Sequence, residues 1–193
     1  ALIIRQALEL VRLRLANLLR AYEQRISEVY QERLVALGFT HIQPAQPVPL
    51  AYRLANHAQD LLRVLWQLEG FQIEGKGTKG AVGTGADYTT MLDGTGVSFL
   101  EFHERVMQKL DLPALTVTGQ TATRLVDVEY MNILYGLAAT LHRAFTDQRI
   151  LQSMGETQEP FAKGQKGSSV MAYKKNPKDS EQICALSAAV MSF

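Results

Sequence analysis

GSSVMAYKKNP, residues 167–177, is the most informative stretch of the sequence. A glycine precedes two hydroxyl side chains, and two lysines, an amide and a proline suited to the first turn of a helix follow. Hydroxyls, backbone N–H groups and the positive end of a helix favour an anion. The stretch carries no base of the Ser-His type. By composition alone, such a stretch is a solvated linker more often than a site.

Around this stretch, apolar residues recur at spacings of three and four, which predicts amphipathic helices. The first stripe consists of Ile4, Leu8, Val11, Leu15, Leu18, Tyr22, Ile26 and Val29. Predicted helices cover residues 2–37, 50–71, 97–110 and 120–154, and a last one opens at Pro177. Gly38 is expected to stop the first helix, and the prolines at 44, 47 and 49 impose an extended path. No alternating segment is long enough to predict a sheet.

The expected architecture is therefore all-α, an elongated antiparallel bundle of about five helices. Stripes on helices this long often bury more surface than one chain can cover, which favours a homo-oligomer over the alternative of a monomeric bundle. The chain also begins and ends inside apolar helical patterns without caps. We expect it to be a piece of a longer protein.

Composition excludes several classes of function. The formal net charge is +1 with scattered Lys and Arg, which argues against nucleic-acid and membrane partners. No apolar run reaches the roughly 20 residues that span a bilayer. Cys184 is the only cysteine, so an intramolecular disulfide and a cysteine metal cluster are excluded, and a cytoplasmic location fits best.

The stretch 167–177 resembles the signature loop of the fumarase/aspartase superfamily, G-S-S-x-M-P-x-K-x-N-P. The matching positions are Gly167, Ser168, Ser169, Met171, Lys174, Asn176 and Pro177. The chain departs from the pattern at Ala172, where the superfamily has proline. The loss of a fixed φ angle implies a looser loop without loss of a reacting group.

Other segments, in the expected order, resemble adenylosuccinate lyases within that superfamily. They are GFTHIQPAQ at 38–46, KGTKGAVGT at 76–84, TGQTATRLVDVE at 118–129, and Glu159 with Pro160 ahead of the signature. Ala122 departs from a frequent aromatic. The resemblance covers essentially the whole chain. It implies that residues 1–193 are the central helical domain of a longer lyase, with the N-terminal and C-terminal domains absent, in a homotetramer whose sites combine three subunits.

The resemblance also implies a reaction, the β-elimination of fumarate from adenylosuccinate and from the related succinyl-carboxamide ribotide in purine biosynthesis. Ser168 would be the base, acting as an alkoxide that backbone N–H groups and cations stabilise. Lys174 and Asn176 would hold the substrate carboxylate as negative charge grows on it. No metal and no organic cofactor is implied.

On the leaving-group side, the resemblance makes His41 the general acid that protonates the departing nitrogen. Glu181 would orient His41 and favour its protonated form. The implied substrate contacts are Thr118, Gln120, Thr121, Ser169 and Met171, with Thr40 and Gln43 as weaker candidates. Because site groups lie in the absent domains, the isolated chain should be nearly inactive.

Alternative interpretations remain open. A sister lyase, such as argininosuccinate lyase or a cycloisomerase, is the runner-up, and a non-catalytic scaffold is a third. GKGTKG, residues 75–80, fits a dinucleotide fingerprint, but it lies between helical segments without the required strand, so we reject that reading. Its glycines are expected to let the backbone approach the substrate or a neighbouring subunit.

Overall fold

A computed structural model describes residues 1–161, 164, 167–168, 170–171 and 173–193. Six helices and two strands lie within these residues. They are α1 (Leu2–Gln31), β1 (Val35–Thr40), β2 (Gln43–Pro49), α2 (Leu50–Gly70), α3 (Ala86–Met91), α4 (Phe99–Leu110), α5 (Leu125–Ser153) and α6 (Lys178–Met191). The chain is mostly helical, which confirms the predicted all-α class except for the two strands, and α3 is a short helix that was not predicted. None of the described helices is both long enough and apolar enough to cross a membrane.

The segment between α1 and α2 corrects two expectations. The first helix ends at Gln31 instead of continuing to residue 37, and β1 and β2 form an antiparallel hairpin where no sheet was predicted. Gly38 lies inside β1, where a Cβ would come within 2.7 Å of the Gln46 carbonyl oxygen. Glycine therefore permits the close approach of β2 and does not end a helix. The extended path predicted for the proline segment is confirmed as β2.

The chain divides into two compact units, and the first comprises residues 1–16 and 65–133. Its core consists of Ile73, Met107, Leu112 and Val126. The N–H of Gly75 donates to the Pro113 carbonyl at 2.8 Å, and the N–H of Leu115 donates to the Gly75 carbonyl at 2.9 Å. These bonds fix the glycine-rich stretch against the segment that precedes α5. Helix α5 begins at Leu125, later than the predicted residue 120, and residues 118–124 are not helical.

The second unit comprises residues 17–64 and 134–193 and contains the hairpin and the signature stretch. Val29 on α1 and Leu61 on α2 are completely buried. Arg143 on α5 donates to the Asp60 carboxylate and to the Asn56 amide oxygen on α2, each at 2.6 Å. Cys184 on α6 is buried, as predicted, and lies 3.6 Å from the Thr146 hydroxyl on α5. Helix α6 is thereby docked on α5.

Candidate active site

The turn of the β-hairpin carries the predicted acid, His41. Thr40 and Gln43 are paired across the hairpin, and His41 and Ile42 form the two-residue turn between them. Both turn residues have positive φ, 52° and 61°. Two-residue hairpin turns of this kind favour asparagine and glycine. Histidine tolerates the left-handed region, whereas a β-branched isoleucine is an outlier there. The strain lies directly beside an exposed imidazole.

Relief of this backbone strain at Ile42 should increase the free energy of unfolding. The left-handed conformation costs an L-residue roughly 1–2 kcal/mol, and a new glycine costs about 0.4–1 kcal/mol through the unfolded chain. Ile42→Gly should therefore stabilise the protein slightly and raise Tm by about 1–4 °C in a thermal unfolding scan. Ile42→Ala is the matched control, since it removes the side chain but keeps the strain. A lower Tm for the glycine variant would mean that the turn is not strained.

The predicted base, Ser168, is half-buried and its hydroxyl accepts two backbone hydrogen bonds. The N–H of Val170 lies 3.2 Å from Ser168 Oγ, and the N–H of Met171 lies 3.1 Å from the same atom. Two N–H groups aimed at one oxygen stabilise negative charge on it, as in an oxyanion hole. The local backbone thus provides the kind of stabilisation that a serine alkoxide requires.

Asn176 and Gly167 close the signature stretch on itself. The side-chain amide of Asn176 donates to the Gly167 carbonyl at 3.2 Å. A Cβ at position 167 would collide with the Lys174 carbonyl oxygen, so only glycine permits this approach. Part of the hydrogen-bonding capacity of Asn176, predicted to contact substrate, is therefore used within the loop. The Lys174 side chain is exposed, as is that of Met171.

Glu181 lies in the first turn of α6 with an exposed side chain. Within the part of the chain that the structure describes, no ion pair joins Glu181 to His41. The orienting role of Glu181 stays a prediction.

A different glutamate, Glu159, contacts the start of α6. Its carboxylate accepts the N–H of Ser180 at 2.7 Å and the N–H of Asp179 at 3.2 Å. The sequence signal for this contact was weak, because Glu159 stood out only as part of the segment ahead of the signature. Its role as a helix cap was missed.

The predicted contacts Thr118, Gln120 and Thr121 lie in the first unit, on the segment that precedes α5. The Lys76 ammonium donates to the Gln120 carbonyl. Lys79 is buried, and its ammonium donates to the carbonyls of Thr116, at 2.6 Å, and Leu115. Lys76 therefore holds the backbone at one predicted substrate contact, Gln120, and Lys79 holds the backbone just before Thr118.

His103, to which sequence analysis gave no role, supports the same glycine-rich segment. Its Nδ1 accepts the N–H of Thr78 at 3.2 Å. Burial lowers the pKa of His103, and the nearby Lys79 charge lowers it further, which favours the neutral, accepting ring. Gly77, with φ 75°, packs against that ring, where a Cβ would collide. In this chain the glycine therefore serves a contact with His103.

Two positions of the signature, Ser169 and Ala172, lie outside the described residues. Among the described residues, no group of three His, Cys, Asp or Glu side chains is arranged to hold a metal ion. The predicted residues within the described part of the chain are thus distributed over four local structures, namely the hairpin turn, the signature stretch, the first turn of α6 and the segment before α5.

Comparison with known proteins identifies the family. A protein-family model described as "Lyase" matches residues 1–192. The chain belongs to this lyase family. Its membership of the fumarase/aspartase superfamily, predicted from the signature, is confirmed.

Curated relatives of this lyase chain include adenylosuccinate lyases. The protein from Schistosoma mansoni is 41% identical over 162 residues, covering 82% of this chain and 34% of the relative. That from Saccharomyces cerevisiae is 37% identical over 189 residues, covering 95% of this chain and 38% of the relative. The lyase chain therefore spans little more than a third of the length of these relatives.

Solved structures resemble the lyase chain in fold. A 3-carboxy-cis,cis-muconate lactonizing enzyme from Pseudomonas putida has a TM-score of 0.81 and 25% identity, covering 99% of this chain and 41% of that one. A class II fumarase from Schistosoma mansoni has a TM-score of 0.71 and 18% identity, covering 94% of this chain and 41% of that one. Both comparisons support the predicted helical fold.

Proposed function

We propose that residues 1–193 are the central helical domain of a longer lyase that cleaves adenylosuccinate to AMP and fumarate. The same protein would cleave the related succinyl-carboxamide ribotide in purine biosynthesis. The names of the relatives support the substrate class. The observation that carries the chemistry is the pair of N–H groups, from Val170 and Met171, directed at Ser168 Oγ.

In the proposed mechanism, Ser168 removes a proton from the carbon beside a substrate carboxylate. Its alkoxide is stabilised by the two N–H donors and by the cationic side chain of Lys174. The electron pair released from the C–H bond spreads onto the carboxylate. Lys174 and the second N–H of the Asn176 amide would bind that carboxylate, and Ser169 and Met171 are proposed as further substrate contacts.

The carbanion then expels the nitrogen, and His41 protonates the departing atom as the C–N bond breaks. The exposed position of His41 on the hairpin turn suits a residue that enters the site of another subunit. In the proposed cytoplasmic homotetramer, Glu181 of one copy would orient His41 of another. Thr40 and Gln43, which flank the turn, and Thr118, Gln120 and Thr121 would bind the rest of the substrate.

A cycloisomerase is the second candidate. It is favoured by the likeness to the Pseudomonas putida lactonizing enzyme at a TM-score of 0.81. Such an enzyme and the lyase would share the handling of a carbanion next to a carboxylate and would differ in the group on the neighbouring carbon. The two candidates are therefore separated by the substrate and not by the base.

The test offers adenylosuccinate, argininosuccinate and 3-carboxy-cis,cis-muconate separately to the full-length protein and measures fumarate or lactone formation. We expect fumarate from adenylosuccinate alone. The 193-residue chain by itself should be slower by about 10²-fold or more, because positioning groups are lost. Lactone formation would establish the cycloisomerase, and turnover of none of the three would refute the proposed function.

A further inference from the structure

The first turn of α6 has a capping arrangement that its own N-cap residue does not provide. Pro177 occupies the N-cap position and makes no side-chain cap hydrogen bond. Because the first N–H groups of a helix have no partner within the helix, they need acceptors from elsewhere. The acceptor is Glu159, which lies ahead of the signature stretch and takes the N–H groups of Asp179 and Ser180.

Burial and charge both favour this cap. Ser180 is 1% exposed, and its hydroxyl also donates to Glu159. The carboxylate is therefore bonded to one buried residue through backbone and side chain together. A negative charge at this end also interacts favourably with the helix dipole. The start of α6 is fixed by a residue that is distant in sequence and comes from the opposite end of the loop.

Gln152, near the end of α5, links the two ends of the segment between α5 and α6, residues 154–177. Its amide oxygen accepts the N–H of Glu159 at 3.0 Å. Its amide nitrogen donates to the Lys175 carbonyl at 3.0 Å. We call Gln152, Glu159 and Ser180 the loop clasp. At this end of the signature stretch, the Lys175 carbonyl is held by Gln152 and the Asn176 amide is bonded to Gly167, and Lys174 directly precedes both residues.

We propose that Glu159 is a positioning residue that, through the loop clasp, sets the placement of the signature stretch. This inference rests on the proposed function only for its kinetic consequence. Glu159 is not assigned a substrate contact. It would act by holding the start of α6 and the residues just before it. These include Lys174 and Asn176, which are proposed to bind the substrate carboxylate as negative charge grows on it. Small displacements of such groups cost catalytic rate more than binding.

The first measurement is amide hydrogen exchange on the full-length protein, which requires no activity. Glu159→Ala should speed exchange at residues 173–181, because the cap on α6 is lost. Glu156→Ala is the matched control, a carboxylate three residues earlier that should leave this segment unchanged. Unaltered exchange in the Glu159→Ala protein, or equal acceleration in both variants, would overturn the proposal.

The second measurement is the kinetics of fumarate release. Glu159→Ala should lower kcat by about 10–100-fold with KM changed less than about threefold. Glu159→Gln should recover part of that loss, since its amide oxygen can still accept from Ser180 but its NH2 group cannot accept from Asp179. Ser180→Ala should show a smaller loss of kcat than Glu159→Ala.

The outcomes separate the two proposals. An inactive wild type whose Glu159→Ala exchange is altered would refute the proposed function and leave the clasp standing. An active wild type with an unchanged kcat in Glu159→Ala would refute the positioning role alone. Loss of kcat in step with a loss of folded protein, monitored by thermal unfolding, would reduce Glu159 to general stability and likewise refute the positioning role.

Discussion

Replacement of Ser168 by alanine is expected to lower kcat for fumarate release by about 10²–10⁴-fold, the usual contribution of a positioned acid or base. The variant would lose the oxygen at which the N–H groups of Val170 and Met171 are directed. Substrate binding through other groups would persist, so KM should change far less than kcat. Steady-state kinetics of the full-length protein against adenylosuccinate would measure both constants.

Two controls make the Ser168 result specific. Ser192→Ala removes an exposed hydroxyl at the end of α6, where it donates only to the nearby Ala189 carbonyl, and it should leave kcat within a few-fold. Thermal unfolding of Ser168→Ala should show that the fold is retained. A variant that keeps wild-type kcat would show that another group removes the proton, and it would leave the N–H pair as a device that shapes the loop.

The helices could be predicted from sequence because their apolar spacing records burial directly. Helices α2 and α4 begin and end close to their predicted bounds, 50–71 and 97–110. The error at the end of α1 has a local cause. Val35, Leu37 and Phe39 alternate over only six residues of β1, too few to separate a strand from a continuing helix stripe. The pairing with β2, which decides the matter, is a tertiary contact.

The candidate site was predicted through the signature pattern, and the supporting contacts were not. Hydrogen bonds such as those from the Ser180 N–H to the Glu159 carboxylate and from the Lys79 ammonium to the Thr116 carbonyl leave no periodic trace in a sequence. They join a side chain to a backbone group far along the chain, and backbone groups are the same for every residue. The strained turn at His41 and Ile42 was hidden for a related reason, since neither residue type is a usual turn former.

Substitution of His41 by asparagine should also lower kcat by about 10²–10⁴-fold, because the departing nitrogen loses its proton donor. Asparagine is the replacement that best separates the loss of the acid from a change in the turn. Residue 41 has φ 52°, and asparagine is enriched among non-glycine residues in the left-handed region. The hairpin turn should therefore keep its conformation while the group that transfers the proton disappears. Alanine would confound lost chemistry with added backbone strain.

Ile42→Gly is the matched control for His41→Asn, since it alters the same two-residue turn and leaves the imidazole in place. It should retain kcat within about threefold, while His41→Asn binds substrate with a nearly unchanged KM. If both variants lose activity equally, the hairpin conformation is what matters and His41 is not the acid. If only His41→Asn loses kcat, the exposed imidazole at the turn acts in the chemistry, and its action between copies can then be tested. In the proposed homotetramer, assemblies that mix His41→Asn and Ser168→Ala subunits should regain activity, because some sites would combine an intact His41 from one copy with an intact Ser168 from another.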